Sequence, residues 1–176
     1  MVKFLKILSY TILFILAIGY FFPKINFYYL LENEFKKNNI ILSQEKIIDK
    51  AFSLEINEAK LYFKKIETAD IESINIKTFL VYNSVSVENI KLSTMAVSFT
   101  PISIDNIYMK YTIFNPLNIV GEVNGEFGKA MININIIDRK MNIVVLPSKL
   151  MLDNYKNTLR NLKKNEDGEY EYVKNF

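Results

Sequence analysis

The sequence predicts a mainly β protein with flanking helices: an N-terminal transmembrane helix, a curved antiparallel sheet in meander order, and a C-terminal amphipathic helix. Three observations predict it. Residues 7–22 (ILSYTILFILAIGYFF) are uncharged and mostly apolar, the composition of a membrane segment. Between residues 52 and 146, short runs carry apolar side chains at alternate positions, the period of half-buried strands. Beyond Leu146 the apolar period returns to that of a helix.

The first element is the anchor. Lys3 and Lys6 precede the apolar run and Pro23-Lys24 closes it. Crossing roughly 30 Å of hydrocarbon takes about 20 residues. Lys6 can snorkel, which brings Phe4 and Leu5 into the span. The expected lipid-facing residues are Ile7, Leu8, Ile12, Leu13, Phe14, Ile15, Leu16, Phe21 and Phe22. Ala17-Ile18-Gly19 also has the spacing of a signal-peptide cleavage site. The aromatic continuation Tyr20-Phe21-Phe22 reads as an interfacial belt and favours an uncleaved anchor. Charge leaves the orientation near a tie, Lys3 and Lys6 with the amino terminus standing against Lys24, Lys36 and Lys37.

The remainder, about 150 residues, is the size of one domain. Half the chain is hydrophobic, with 11 Tyr and 13 Phe, so it can build a packed core. It contains no Cys, His or Trp. That composition excludes the usual zinc sites, a Cys nucleophile, a Ser-His-Asp triad and a disulfide staple. A net charge of +3 gives nucleic acid no broad footprint. The expectation is a non-enzyme with no cofactor, whose partners are membrane lipid and other envelope proteins. The chain divides into an anchor (1–24), a membrane-proximal helical linker (25–50), an antiparallel β domain (51–146), a basic amphipathic helix (147–165) and a tail (166–176).

In the linker, Phe27, Tyr28, Leu31 and Phe35 fit a short helix, with Glu32 and Lys36 four apart and Asn38-Asn39 ending it. Ser43 is positioned to cap a further turn, with Lys46 at its third position. Alternation then runs through Phe52, Leu54 and Ile56, and through Ala59, Leu61 and Phe63. Further sets follow: 74–82, Val85 with Val87, 90–99, 107–113, 132–136 and 141–145. Eight or so short runs with turn residues between them argue for a meander. The expected turns are Asn57-Glu58, Tyr82-Asn83-Ser84, Thr100-Pro101, Asn115-Pro116, Asn124-Gly125 and Asp138-Arg139-Lys140. Asn124-Gly125 is the strongest hairpin signal, because a type I′ turn needs positive φ at both central residues.

Several strands pair an apolar face with Asn, Ser or Thr, as in residues 132–136. Either one face meets water, or part of the apolar face stays open as a groove for an acyl chain. Past Pro147, the residues Leu152, Tyr155, Leu159 and Leu162 form a helical stripe over 148–164, with Lys156, Arg160 and Lys163 among the flanking positions. This helix either closes over the sheet or lies on anionic lipid. Residues 167–173 alternate again as a last edge strand, guarded by Glu169 and Glu171.

Nothing rises to a catalytic constellation. Gly121, Gly125 and Gly128 lack the spacing of a phosphate loop and read as hairpin or bulge glycines. The carboxylate pairs Glu55 with Glu58 and Asp70 with Glu72 fit turns and outer strand faces. No catalytic, cofactor or metal residue is assigned.

The order anchor, Tyr-x-x-Leu-Glu helix (28–32), Ile-Leu-Ser-x-Glu (41–45) and Leu-x-Ile-x-x-Ala-x-Leu-Tyr-Phe (54–63) resembles the type II secretion protein N family and the wider AsmA-like envelope proteins. The resemblance covers the first third of the chain. It implies a curved periplasmic sheet behind one inner-membrane helix, serving as an accessory or scaffold part of a secretion machine. The AsmA-like and lipopolysaccharide-export-like alternative is a lipid-binding or lipid-transfer module with an apolar groove.

Overall fold

The computed structural model describes residues 2–98 and 103–176. Two helices, α1 (Val2–Phe21) and α2 (Lys24–Lys37), lead into the strands β1 (Ile40–Ser43), β2 (Lys46–Asp49), β3 (Ser53–Phe63), β4 (Ile66–Phe79) and β5 (Tyr82–Leu92). A 3-10 turn at Ala96–Ser98 follows. Then come β6 (Ser103–Thr112), β7 (Asn118–Gly125), β8 (Gly128–Asn135) and β9 (Lys140–Pro147). The short helices α3 (Lys149–Asn154) and α4 (Lys156–Leu159) and the strands β10 (Lys163–Lys164) and β11 (Tyr170–Asn175) complete the chain. All the strands join one antiparallel sheet in the order β1-β3-β4-β5-β6-β7-β8-β9-β11-β10, with β2 continuing the β1 flank of β3. The meander predicted from period two is present.

α2 forms where its apolar residues recur at helical spacing, and the Glu32–Lys36 ion pair spans one turn at 2.7 Å. Asn38 caps it and Asn39 turns away with φ 61. It is more than a linker: Tyr28 is buried in the core with Leu54, Ile56, Ala59, Ala69, Ile71, Ile74, Ile76 and Ile90.

Register explains that core. Leu54 pairs with Ile76, Ile76 with Val85 and Val85 with Met109, and the row continues through Gly121, Ile132 and Ile143 to Tyr172. The next row runs Ile56, Ile74, Val87, Ile107, Val123, Ala130, Val145 and Tyr170. Residues paired in this way share a face. One apolar face therefore extends across the sheet.

A third row, Ala59, Ile71, Ile90 and Ile104, lies on the same face but three residues along each strand instead of two. Each strand from β3 to β6 inserts one extra polar residue at this level. Glu58 (φ 57) and Asn89 (φ 52) take left-handed conformations there, and β6 carries a register shift between Ile104 and Asn106. Extra residues bend strands, and here they align into one crease. The predicted turn at Asn57-Glu58 is this crease: both residues lie inside β3.

Other predicted boundaries move. Ser43 does not cap a helical turn, because Leu42 and Ile47 pair with Leu61 and Ile56 of β3 and make residues 40–49 an edge strand broken at Gln44, φ 63. The sheet thus starts inside the predicted linker. Tyr82-Asn83-Ser84 is strand, and the chain reverses at Leu80-Val81 between paired Phe79 and Tyr82. Val85, Val87 and Ile90 belong to one strand, β5. Asn124-Gly125 ends β7, and the reversal falls on Glu126-Phe127 between paired Gly125 and Gly128. The consecutive positive φ values of a type I′ turn occur at Lys64 (50) and Lys65 (68) instead. The turns at Asn115-Pro116 and at Asp138-Arg139 form as expected, while Lys140 already opens β9. Thr100-Pro101 lies outside the described residues, as do Phe99 and Ile102.

The single helix predicted over 148–164 is also corrected. Ser148 caps α3, its Oγ accepting from Met151 N at 3.2 Å, but the helix breaks at Tyr155 (φ −121, ψ 34). Asp153 and Asn154 are poor interior helix formers, and Lys163–Lys164 leave the helix to pair with Tyr170 and Glu171. The tail strand is present as β11. β10 covers its first residues, so Glu171 is paired on both sides.

Candidate functional site

Two features stand out: the junction that seats α1 on the sheet, and the apolar face beyond the reach of α2. At the junction Lys24 is 4% exposed. Its Nζ lies 3.1 Å from Asp49 Oδ1 and donates to the carbonyls of Phe22 (3.2 Å) and Ala51 (3.3 Å). A buried ammonium needs such a set of acceptors to offset its lost hydration. Gly19 is buried as well. A Cβ there would meet the Phe79 ring at 3.1 Å and the Phe52 ring at 3.2 Å, so glycine permits the close approach. Phe52 and Phe79 stack edge to face at 5.9 Å. A cleft of about 200 Å³ sits here, lined by Ile18, Gly19, Phe22, Thr78, Phe79, Leu80 and Asn83.

All nine predicted anchor residues, Ile7, Leu8, Ile12, Leu13, Phe14, Ile15, Leu16, Phe21 and Phe22, are exposed. Residues 3–16 are uncovered by the rest of the protein throughout, so the helix projects away from the sheet instead of lying on it. The segment Lys3–Phe21 is one helix long and apolar enough, at a mean hydropathy of 1.9, to cross a membrane.

The apolar face changes character along the sheet. Over β3 and β4 it is buried, and α2 packs on β1 and β3. Over β6, β7, β8 and β9 the same rows are half-buried, apart from Ala130. α3 packs on β9, and among the described residues no helix covers β6 to β8 comparably. Ile107, Met109, Tyr111, Ile119, Val123, Ile132, Ile134, Met141, Ile143 and Val145 together make this partly open surface.

The predicted interaction helix is only partly brought together. Leu152, Lys156, Leu159, Arg160 and Leu162 line one cleft of about 410 Å³ with Lys164 and Tyr170. Tyr155 sits at the helix break, and Lys163 is in β10. Leu159 is buried, Leu162 half-buried and Leu152 exposed, because the break turns Leu152 outward while Met151 takes the buried position. Lys156, Arg160 and Lys163 are exposed. Met151, the buried Lys24 and the seat under Gly19 escaped the sequence reading. Only the i+8 spacing of Met151 and Leu159 hinted at the first.

Electrostatics on the polar face is that of paired surface charges. Each carboxylate of the pairs Glu55 with Glu58 and Asp70 with Glu72 has a partner of its own. Glu55 pairs with Lys50 at 2.5 Å, Glu58 with Lys46, Asp70 with Lys60 at 3.6 Å, and Glu72 accepts from Asn89 Nδ2 at 2.8 Å. Hydrogen bonds from Lys129 and Asn124 hold the Glu122 carboxyl below its ordinary range. The Glu67 hydrogen bond and the Asp70 charge hold Lys60 above its own. Among the described residues no group of three or more Asp or Glu is arranged to hold a metal ion.

No protein-family model, curated protein or solved structure matches this chain. The resemblance to type II secretion protein N and AsmA-like proteins therefore stands on the residues quoted above.

Proposed function

We propose that this chain is a non-enzymatic, single-pass protein of a bacterial inner membrane, with its sheet in the periplasm, and that it holds acyl lipid on the open part of its apolar face. The observation that carries the reading is the continuity of that face. The rows that form a sealed core under α2 run on, unbroken, across strands that no helix covers to the same extent. A contiguous, partly exposed apolar surface of this size on an anchored domain fits a lipid ligand. The absence of His and Cys supports a role without catalysis. The secretion-scaffold reading is the second one. The outer edge of β11 from Tyr172 to Asn175, where β10 no longer pairs, favours it as a place where a partner strand can add.

The test is mass spectrometry of the full chain after gentle extraction, comparing Ile132→Lys on the apolar face with its neighbour Met131→Lys on the other. Lipid should accompany the parent and Met131→Lys proteins and be lost from Ile132→Lys, with all three giving the same melting transition. Equal lipid in both variants, or none in any, overturns the proposal.

A further inference from the structure

Strand direction places every reversal at one of two ends of the sheet, and α1 joins one of them. The end that α1 joins carries the turn Leu80-Val81, the loop 113–117, the turn 136–139 and the C-terminal residue. Register fixes this grouping: Tyr82 pairs with Thr112, Asn118 with Asn135, and Lys140 with both Asn135 and Asn175. Turn residues are ordinarily polar. Here the tips present Leu80, Ile113, Phe114, Leu117, Ile137 and Phe176 to solvent, with Phe114 88% and Ile137 71% exposed. Antiparallel strands lie about 4.8 Å apart, so these tips form a row roughly 25 Å long. The opposite end reverses through Lys64-Lys65, through the segment that follows β5, through Glu126-Phe127 and through the loop before β11, and exposes Phe63, Ile66 and Met95.

The depth of the β4 end of this row relative to α1 follows from the Gly19 seat. The contact with Phe79 falls inside the apolar run, two residues before the end of α1 at Phe21. With a rise of 1.5 Å per residue, the tip of β4 therefore sits about 3 Å inside the end of that helix. If α1 spans a bilayer, a tip at that depth meets the boundary between headgroups and acyl chains. Exposed Lys77, Arg139, Lys140 and Lys174 lie at or near the same end, suited to lipid phosphates; Lys50 there is paired with Glu55, and Asp49 and Asp138 are the other nearby acids.

We infer that the hairpin tips at this end, led by Phe114 and Ile137, insert into the same bilayer that holds α1, so that the sheet stands on the membrane at several points. The inference rests on the membrane reading of α1 and adds to it a lipid-contacting surface built from turns.

The chain has no native cysteine, so single cysteines report cleanly. Full-length protein would be labelled with an environment-sensitive dye at Phe114→Cys, Ile137→Cys, Glu126→Cys, Asp167→Cys or Leu13→Cys. Each would be reconstituted in vesicles of phosphatidylcholine with a minority of phosphatidylglycerol. Quenching by spin-labelled lipid and by aqueous acrylamide is then compared. The expected result is several-fold stronger lipid quenching at 114 and 137 than at 126 and 167, with 13 quenched by lipid as the anchor control. Lipid quenching at 13 with 114 and 137 as water-accessible as 126 overturns the inference and leaves the anchor standing. Water access at 13 removes the anchor and the inference together.

Discussion

Tyr28 ties α2 to the sheet through chemistry as well as packing. Its ring is buried among the core isoleucines, and its hydroxyl donates to Glu45 Oε1 at 3.4 Å. Burial, and then the Glu45 and Glu32 carboxylates, push its ionisation well above the ordinary phenol range. A phenol that stays protonated when folded but ionises near 10 when unfolded makes the unfolded chain the better proton donor. Its share of stability is therefore present below about pH 10 and is lost as pH rises past that value. Tyr28→Phe keeps the ring and removes the ionisation. Between pH 8 and pH 11 the parent melting temperature should fall more steeply than that of Tyr28→Phe, by differential scanning fluorimetry; parallel curves would contradict the assignment. The helical placement of Tyr28 was legible in the sequence, since 27, 28, 31 and 35 share a helix face. Its burial was not, because only the packing of α2 on β1 and β3 shows which aromatic points inward.

Among the elements, the strands were read more surely than the turns, for a physical reason. Alternation marks a strand, but a strand that gains one residue at a crease breaks its alternation just as a turn does. Leu54-Ile56 followed by Ala59-Leu61 therefore has the pattern of two strands, where Glu58 with φ 57 keeps one strand continuous. The signature was present four times over, as a spacing of three at matching levels of β3 to β6, and only registration of the strands reveals it. β7 was hidden because Gly121 takes an apolar position of the row and interrupts the pattern. Asn124-Gly125 misled because Gly125 serves close approach: a Cβ there would lie 2.7 Å from Ser103 O. The C-terminal helix makes a direct test of the corrected boundaries. Leu159 is buried and Leu152 is 40% exposed. Leu159→Ala should cost about 2–5 kcal/mol, lowering the melting temperature by several degrees, whereas Leu152→Ala should leave it nearly unchanged. Equal effects would restore a continuous helix with all four stripe residues packed.

For the whole molecule, the fold class followed from period and composition alone: apolar helix, antiparallel sheet, short helices at the end. What the sequence could not separate was a filled core from an open face, because both use the same alternating residues. The difference lies in what stands over each strand. α2 reaches only the first strands, so the face that encloses Leu54 and Ile56 continues to Ile143 and Val145 half-buried. The seat of Gly19 on Phe79 and the ammonium of Lys24 held at the junction set one end of the sheet, with its apolar tips, at the root of the helix that is apolar enough to span a bilayer. Photo-crosslinking in intact membranes tests the proposed occupation of this face by lipid. A benzophenone amino acid at Ile132 is compared with one at Asn133, its exposed neighbour on the opposite face. A lipid adduct is expected from position 132 and none from position 133. Protein adducts from 132 with no lipid, or equal lipid adducts from both positions, would contradict it.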